Sequence, residues 1–170
     1  LCTSVSRGAS LSLPMPTESK QGYFGGEHLE DLRSLRGALP VLKGRLLKRS
    51  PNAFRALYGQ NQKRPCILKD GSFFWWTPDT MKPQAEARGA INFILNRATV
   101  VKDDVNPDAF IIKPAIASGW DDVSTFTGGE HREFIFDVSD CDVGRSEWVS
   151  CIERHIDFAN YAYEYFKRTE

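Results

Sequence analysis

The chain has 170 residues, 41% hydrophobic and 26% charged, with 22 basic residues balancing 22 acidic ones. That length suits one domain with extensions, and that apolar share is enough for a packed core. No run approaches the roughly 18 apolar residues of a membrane-spanning helix, and no secretory signal pattern opens the chain.

The zero net charge hides a polarity. Residues 41–102 carry 12 basic and 3 acidic side chains, whereas residues 103–170 carry 6 basic and 15 acidic ones. Kept apart in space, such halves would orient the molecule against an anionic surface; interleaved, they would cancel. Cys2, Cys66, Cys141 and Cys151 lack metal-ligand spacing and are expected as reduced thiols in an intracellular protein. No metal and no cofactor are expected.

Residues 1–25 are rich in Ser, Gly and Pro and read as a mobile leader. Residues 26–40 then read as one short helix. Leu29, Leu32, Leu35 and Leu39 recur every three to four residues, and Gly37 and Pro40 stop it. A single apolar stripe means that this helix docks on the domain formed by residues 41–170.

From residue 42 the period changes to that of strands. The first is 42–49, followed by a long connection opened by Pro51. Strands 63–69 and 72–77 flank Asp70-Gly71, a strong hairpin signal. After a polar loop come strands 89–95 and 98–102, with Asn96-Arg97 as their turn, then 109–113. A Gly- and Ser-containing loop, 115–129, leads to strand 132–138. The pattern then turns helical, with Trp148, Ile152, His155 or Ile156, Ala159, Ala162 or Tyr163, and Phe166 on one stripe and Ser139/Asp142 shaped like a capping box. Seven short strands and one amphipathic helix make a mainly β plan: a small antiparallel barrel or two packed sheets, with the helix plugging one end and Trp148 inward.

The chemistry-bearing residues are sparse. His28, His131 and His155 are the only histidines, and no nucleophile motif or phosphate-binding loop accompanies them. A catalytic role is therefore not expected. Nucleic-acid binding is not expected either, because Trp75 and Trp76 must face opposite sides of one strand. What stands out is the cluster of cations around "KGRLLKRS" (43–50) and "KRPCILK" (63–69).

Four stretches in this order resemble the pleckstrin homology (PH) domain: "GRLLKR" (44–49), "KRPCILKDGSFFWW" (63–76), "GAINFIL" (89–95) and "EWVSCI" (147–152). The resemblance spans roughly 42–166. It implies a PH-like seven-stranded antiparallel barrel of two near-orthogonal sheets capped by the C-terminal helix. It also implies a binding module for phosphoinositides or other anionic lipids. By position, the head-group ligands would be Lys48 and Arg64, with Arg49 and Lys63 beside them. A phosphomonoester offers nearly two negative charges and several acceptor oxygens, to which Lys brings a point charge and Arg a fork of donors.

Ser50 and Gln62 stand where inositide-binding members carry further cations. That departure favours a smaller head group, such as the lone phosphate of phosphatidic acid. The first loop carries Phe54, Arg55, Leu57 and Tyr58, read as a membrane-inserting tip or as side chains folded back onto the domain. These features are similar to the acylated PH-domain proteins of apicomplexan parasites, which sit on micronemes and sense phosphatidic acid. That resemblance implies a lipoprotein, with Cys2 as its palmitoylation site, a peripheral position on the cytosolic face of a membrane and a part in microneme secretion. The rival reading is a PH-like peptide- or protein-binding module that uses the acidic last third.

Overall fold

The computed structural model describes residues 3–4, 27–50, 61–78 and 86–167. In chain order the elements are β1 (Thr3–Ser4), α1 (Glu27–Gly37), β2 (Leu42–Lys48), β3 (Gln62–Lys69) and β4 (Ser72–Trp75). They continue with β5 (Gly89–Asn92), β6 (Ala98–Lys102), β7 (Ala109–Pro114), β8 (Phe134–Asp137) and α2 (Arg145–Lys167). All pairings are antiparallel, and the strand order is β5-β4-β3-β2-β8-β7-β6, with β1 added beside β2. One strand, β2, joins the two halves: β3 runs along its whole length, while β8 meets it only at Leu47 and Lys48. The mainly β plan of seven antiparallel strands, a C-terminal helix and a short N-terminal helix is the PH-like one that the sequence implies, with the strands joined in one continuous sheet.

Alternation sets what goes inside. Leu42, Gly44 and Leu46 of β2, Cys66 and Leu68 of β3, and Phe73 and Trp75 of β4 are buried, and the residues between them are not. From the other half come Phe110, Ile112, Phe134 and Phe136. Phe73 sits at the centre, 4.8 Å from Phe136 and 6.0 Å from Trp148, ring centroid to centroid. Trp148 of α2 is fully buried, as its place on the helical stripe predicts.

The β3–β4 turn holds because Asp70 and Gly71 both adopt positive φ, 51° and 76°, the backbone that a two-residue hairpin loop of this kind needs. α2 seals this end of the barrel through His155, which is wholly buried. Its Nδ1 accepts from the Gly71 N–H at 3.0 Å and its Nε2 donates to the Pro40 carbonyl at 2.8 Å. One ring thus ties α2, the hairpin and the end of the α1 connection together. Leu32 of α1 packs against Phe158 and Ala162 of α2, with Leu35, Leu39 and Tyr165 around them, so the short helix docks as its stripe predicts.

These contacts need a neutral imidazole, and burial holds the His155 pKa below its ordinary 6.5, against the Pro40 carbonyl and Asp70, which favour the charged form. Below that value the unfolded chain takes up a proton that the folded ring resists, so stability is full above about pH 6.5 and is lost as pH falls. Thermal melts at about pH 7.5 and 5.5 should therefore show a larger loss for the wild type than for His155→Gln, which keeps a donor and an acceptor but does not titrate. Equal losses would remove His155 from the account.

Three local details differ from the sequence expectation. The strand read to residue 95 ends at Asn92, because the Asn92 side-chain oxygen accepts from the N–H groups of Ile94 and Leu95 and bends the chain into a turn. The C-terminal helix starts at Arg145, not at a Ser139/Asp142 box. The Gly144 carbonyl takes the first helical N–H bonds, and the Ser139 N–H goes to Asp137 Oδ1 instead. Cys66 and Cys151 are free thiols, but Cys141 is disulfide-bonded. Sequence spacing argues against a metal site, yet it says nothing of a bridge, which needs only two Cα atoms within about 7 Å. Among the described residues, no helix is long and apolar enough to cross a membrane.

Candidate functional site

The four cations singled out in the sequence divide between the two faces of the β2–β3 ladder. Residues directly opposite in an antiparallel pair share a face, and successive residues alternate. Lys48 lies opposite both Gln62 and the buried Phe136, and Arg64 lies opposite the buried Leu46. Lys48 and Arg64 therefore belong to the inner face. They lie at the end of the barrel away from the Asp70–Gly71 turn, and both are half-buried.

Lys63 lies opposite Leu47, and Leu47 lies opposite Asp137, which puts all three on the outer face with Arg49. There each cation has an acid. Arg49 is 3.4 Å from Asp137 Oδ2, and Lys63 Nζ is 3.1 Å from Asp140 Oδ2. Burial alone would push the Asp137 carboxyl up. Hydrogen bonds from Ser139, Asn106 and Arg49 outweigh it and hold the group below its ordinary range. These two pairs, with Arg97 and Asp121 at 3.5 Å, join the basic middle of the chain to its acidic last third. The charge polarity of the sequence is thus partly cancelled in space.

The inner cations have aromatic neighbours rather than acids. Lys48 Nζ lies 5.3 Å from the ring centroids of both Trp75 and Phe134, within reach of a cation–π attraction. Arg64 donates to the Trp76 carbonyl at 2.9 Å and to the Gln62 side-chain oxygen. Gln62, in a place where a further cation would widen the charge, instead braces the guanidinium.

A third cation, Arg132, joins this end and was not singled out in the sequence. Its guanidinium lies 4.8 Å from the Phe134 ring centroid, on the same ring as Lys48. The loop between β7 and β8 builds its seat. Trp120, buried together with Phe126, donates its indole N–H to the Arg132 carbonyl at 2.7 Å. The Arg132 guanidinium in turn donates to the Thr127 carbonyl. Gly128, at φ 122°, leaves the space that the side chain fills, since a Cβ there would stand 2.3 Å from Arg132 Cδ. A groove of about 610 Å3 lined by residues 128–133 and Ile135 runs beside it. Loop 115–129 thus buries its aromatics and sets a cation. The signal for it was in "REFIF": Arg132 has the same strand parity as Phe134 and Phe136.

Among the described residues, Lys48, Arg64 and Arg132 have no carboxylate partner. The electrostatic consequence is a lowered proton affinity for all three. Burial, then Arg132 and Arg64, bring Lys48 down from 10.5 to about 8. Burial, then Arg88, lower Arg64, and burial lowers Arg132. Arg132 and Arg64 repel the Lys48 ammonium over an apolar floor, which favours an anion in their midst. Cys66 below them is inert, its thiol pushed up to about 12 by burial. No group of residues able to hold a metal ion occurs among the described residues. The first-loop residues Phe54, Arg55, Leu57 and Tyr58, and Cys2, lie outside the described residues.

No family model and no curated protein matches the chain. Among solved structures it is similar to the ORP8 PH domain, at 12% identity and TM-score 0.43 over 67% of this chain and 91% of that one. It is similar also to the PH domain of the human KIAA0053 protein, at 14% identity and TM-score 0.43 over 72% of this chain and 88% of that one. Strand order, register and the capping helix are what make the fold PH-like.

Proposed function

We propose that this protein is a membrane-targeting module whose barrel end, at Lys48, Arg64 and Arg132, grips the phosphate of an anionic phospholipid head group. The observation that carries the reading is the segregation of charge on one ladder: the outer cations Arg49 and Lys63 are paired with acids, and the inner ones have no acid partner among the described residues. An acid-free cluster is costly to build unless an anion relieves it. A compact phosphomonoester, as in phosphatidic acid, fits best. Ser50 and Gln62 supply no charge, Lys48 and Arg132 share the Phe134 ring, and Arg64 lies near enough to lower the proton affinity of Lys48. With the resemblance to acylated PH-domain proteins, this supports a peripheral protein on the cytosolic face of a secretory organelle, such as the microneme, signalling for exocytosis.

Vesicle co-sedimentation tests it. Phosphatidylcholine vesicles doped with phosphatidic acid should carry the protein down, doped with a phosphoinositide less so, and undoped vesicles not at all. Indifference to every anionic vesicle would overturn the reading and leave protein recognition as its successor.

A further inference from the structure

Of the three inner cations, only Lys48 can exchange its proton near neutral pH, since a guanidinium holds its charge throughout. Its surroundings are set by every described element around it. From β4 and β8 come the faces of Trp75 and Phe134, from β3 come Arg64 and the neutral Cys66 thiol, and from the loop before β8 comes Arg132. Two fixed positive charges and two rings face the ammonium, and no carboxylate among the described residues offsets them. Resting on the head-group reading above, we propose that anion binding at this site is coupled to protonation of Lys48, so that the ligand is held by the ammonium form and released as the amine forms. Above about pH 8, where the free site holds mostly the amine, the proton comes from solvent onto Nζ when the anion enters and returns to solvent when it leaves; no other bond changes.

The free-site Lys48 pKa of about 8 fixes the size of the effect. If a bound phosphate restores an ordinary lysine value, affinity falls roughly tenfold between about pH 7 and pH 9. The head group titrates as well, so the affinity for phosphatidic-acid vesicles is read as the ratio of wild type to Lys48→Arg, which keeps the charge and cannot shed it. The expected result is a ratio that drops about tenfold across that range. In parallel, NMR of ¹³C-lysine-labelled protein, with Lys48 assigned by its loss in the variant, should give a titration midpoint about two units below that of the other lysines.

A constant ratio with wild-type binding intact, or an ordinary Lys48 midpoint, would overturn the coupling and leave the head-group reading standing. Absence of vesicle binding at about pH 7 would instead sink the head-group reading and the coupling with it. Should Lys48→Arg alone fail to bind, the NMR midpoint decides.

Discussion

The double variant Lys48→Ala, Arg64→Ala is expected to lose vesicle binding on the order of a hundredfold while keeping its fold. Each charge-assisted contact to a phosphate contributes roughly 1.5–3 kcal/mol, and about 3 kcal/mol is a hundredfold in Kd. The fold should survive because neither side chain supports the core. Lys48 lies over the rim of the rings, and Arg64 gives up one bond to the Trp76 carbonyl and one to Gln62. Removing two cations that repel each other offsets part of that loss. Circular-dichroism melts beside the binding curves check both halves of the expectation. A variant that melts far below wild type would make the two residues structural.

The largest effect on stability is expected at Trp148→Ala. This side chain is fully buried, edge-on to Phe73 at 6.0 Å and stacked on Phe110 at 6.3 Å. It is the point where α2 meets both halves of the sheet. Emptying such a site costs about 3–5 kcal/mol, a large part of the 5–15 kcal/mol that holds a typical domain together. Trp148→Phe should cost far less, because the indole Nε1 is buried without a hydrogen-bond partner among the described residues and its loss leaves no orphan. Urea unfolding midpoints measure the difference. An alanine variant less than about 1 kcal/mol below wild type would mean that α2 is not the keystone of this core.

Much of this architecture is legible in the residues. Asp70-Gly71 announces its hairpin, the Trp148 stripe announces the capping helix, and Leu32, Leu35 and Leu39 announce a docked N-terminal helix. The strand that ends at Asn92 is less legible, since one side-chain oxygen captures two N–H groups that the pattern of apolar letters would give to a ladder. The helix start was misplaced because a glycine carbonyl can open a helix without any capping side chain.

The candidate site was half legible. Position along the chain brings Lys48, Arg49, Lys63 and Arg64 together as one cluster. Parity then divides them, and parity was available from the buried Leu46 and Cys66 alone. For Arg132 only the face is legible, from the strand parity it shares with Phe134 and Phe136. It is distant in sequence, and its place depends on Trp120, Thr127 and Gly128 folding a loop beneath it. Nor does sequence say which cations have acids, since Asp137 and Asp140 reach the outer face only once β8 lies beside β2.

The division of one ladder into a neutralised face and a bare one is tested most directly by comparing two charge-matched double variants on phosphatidic-acid vesicles at equal ionic strength. Arg49→Ala, Lys63→Ala removes the same two positive charges as Lys48→Ala, Arg64→Ala, so any effect of net charge alone cancels in the comparison. The account predicts that the outer pair binds within about threefold of wild type, the weight of exposed, already paired cations, while the inner pair loses binding. Equal losses in the two variants would contradict it.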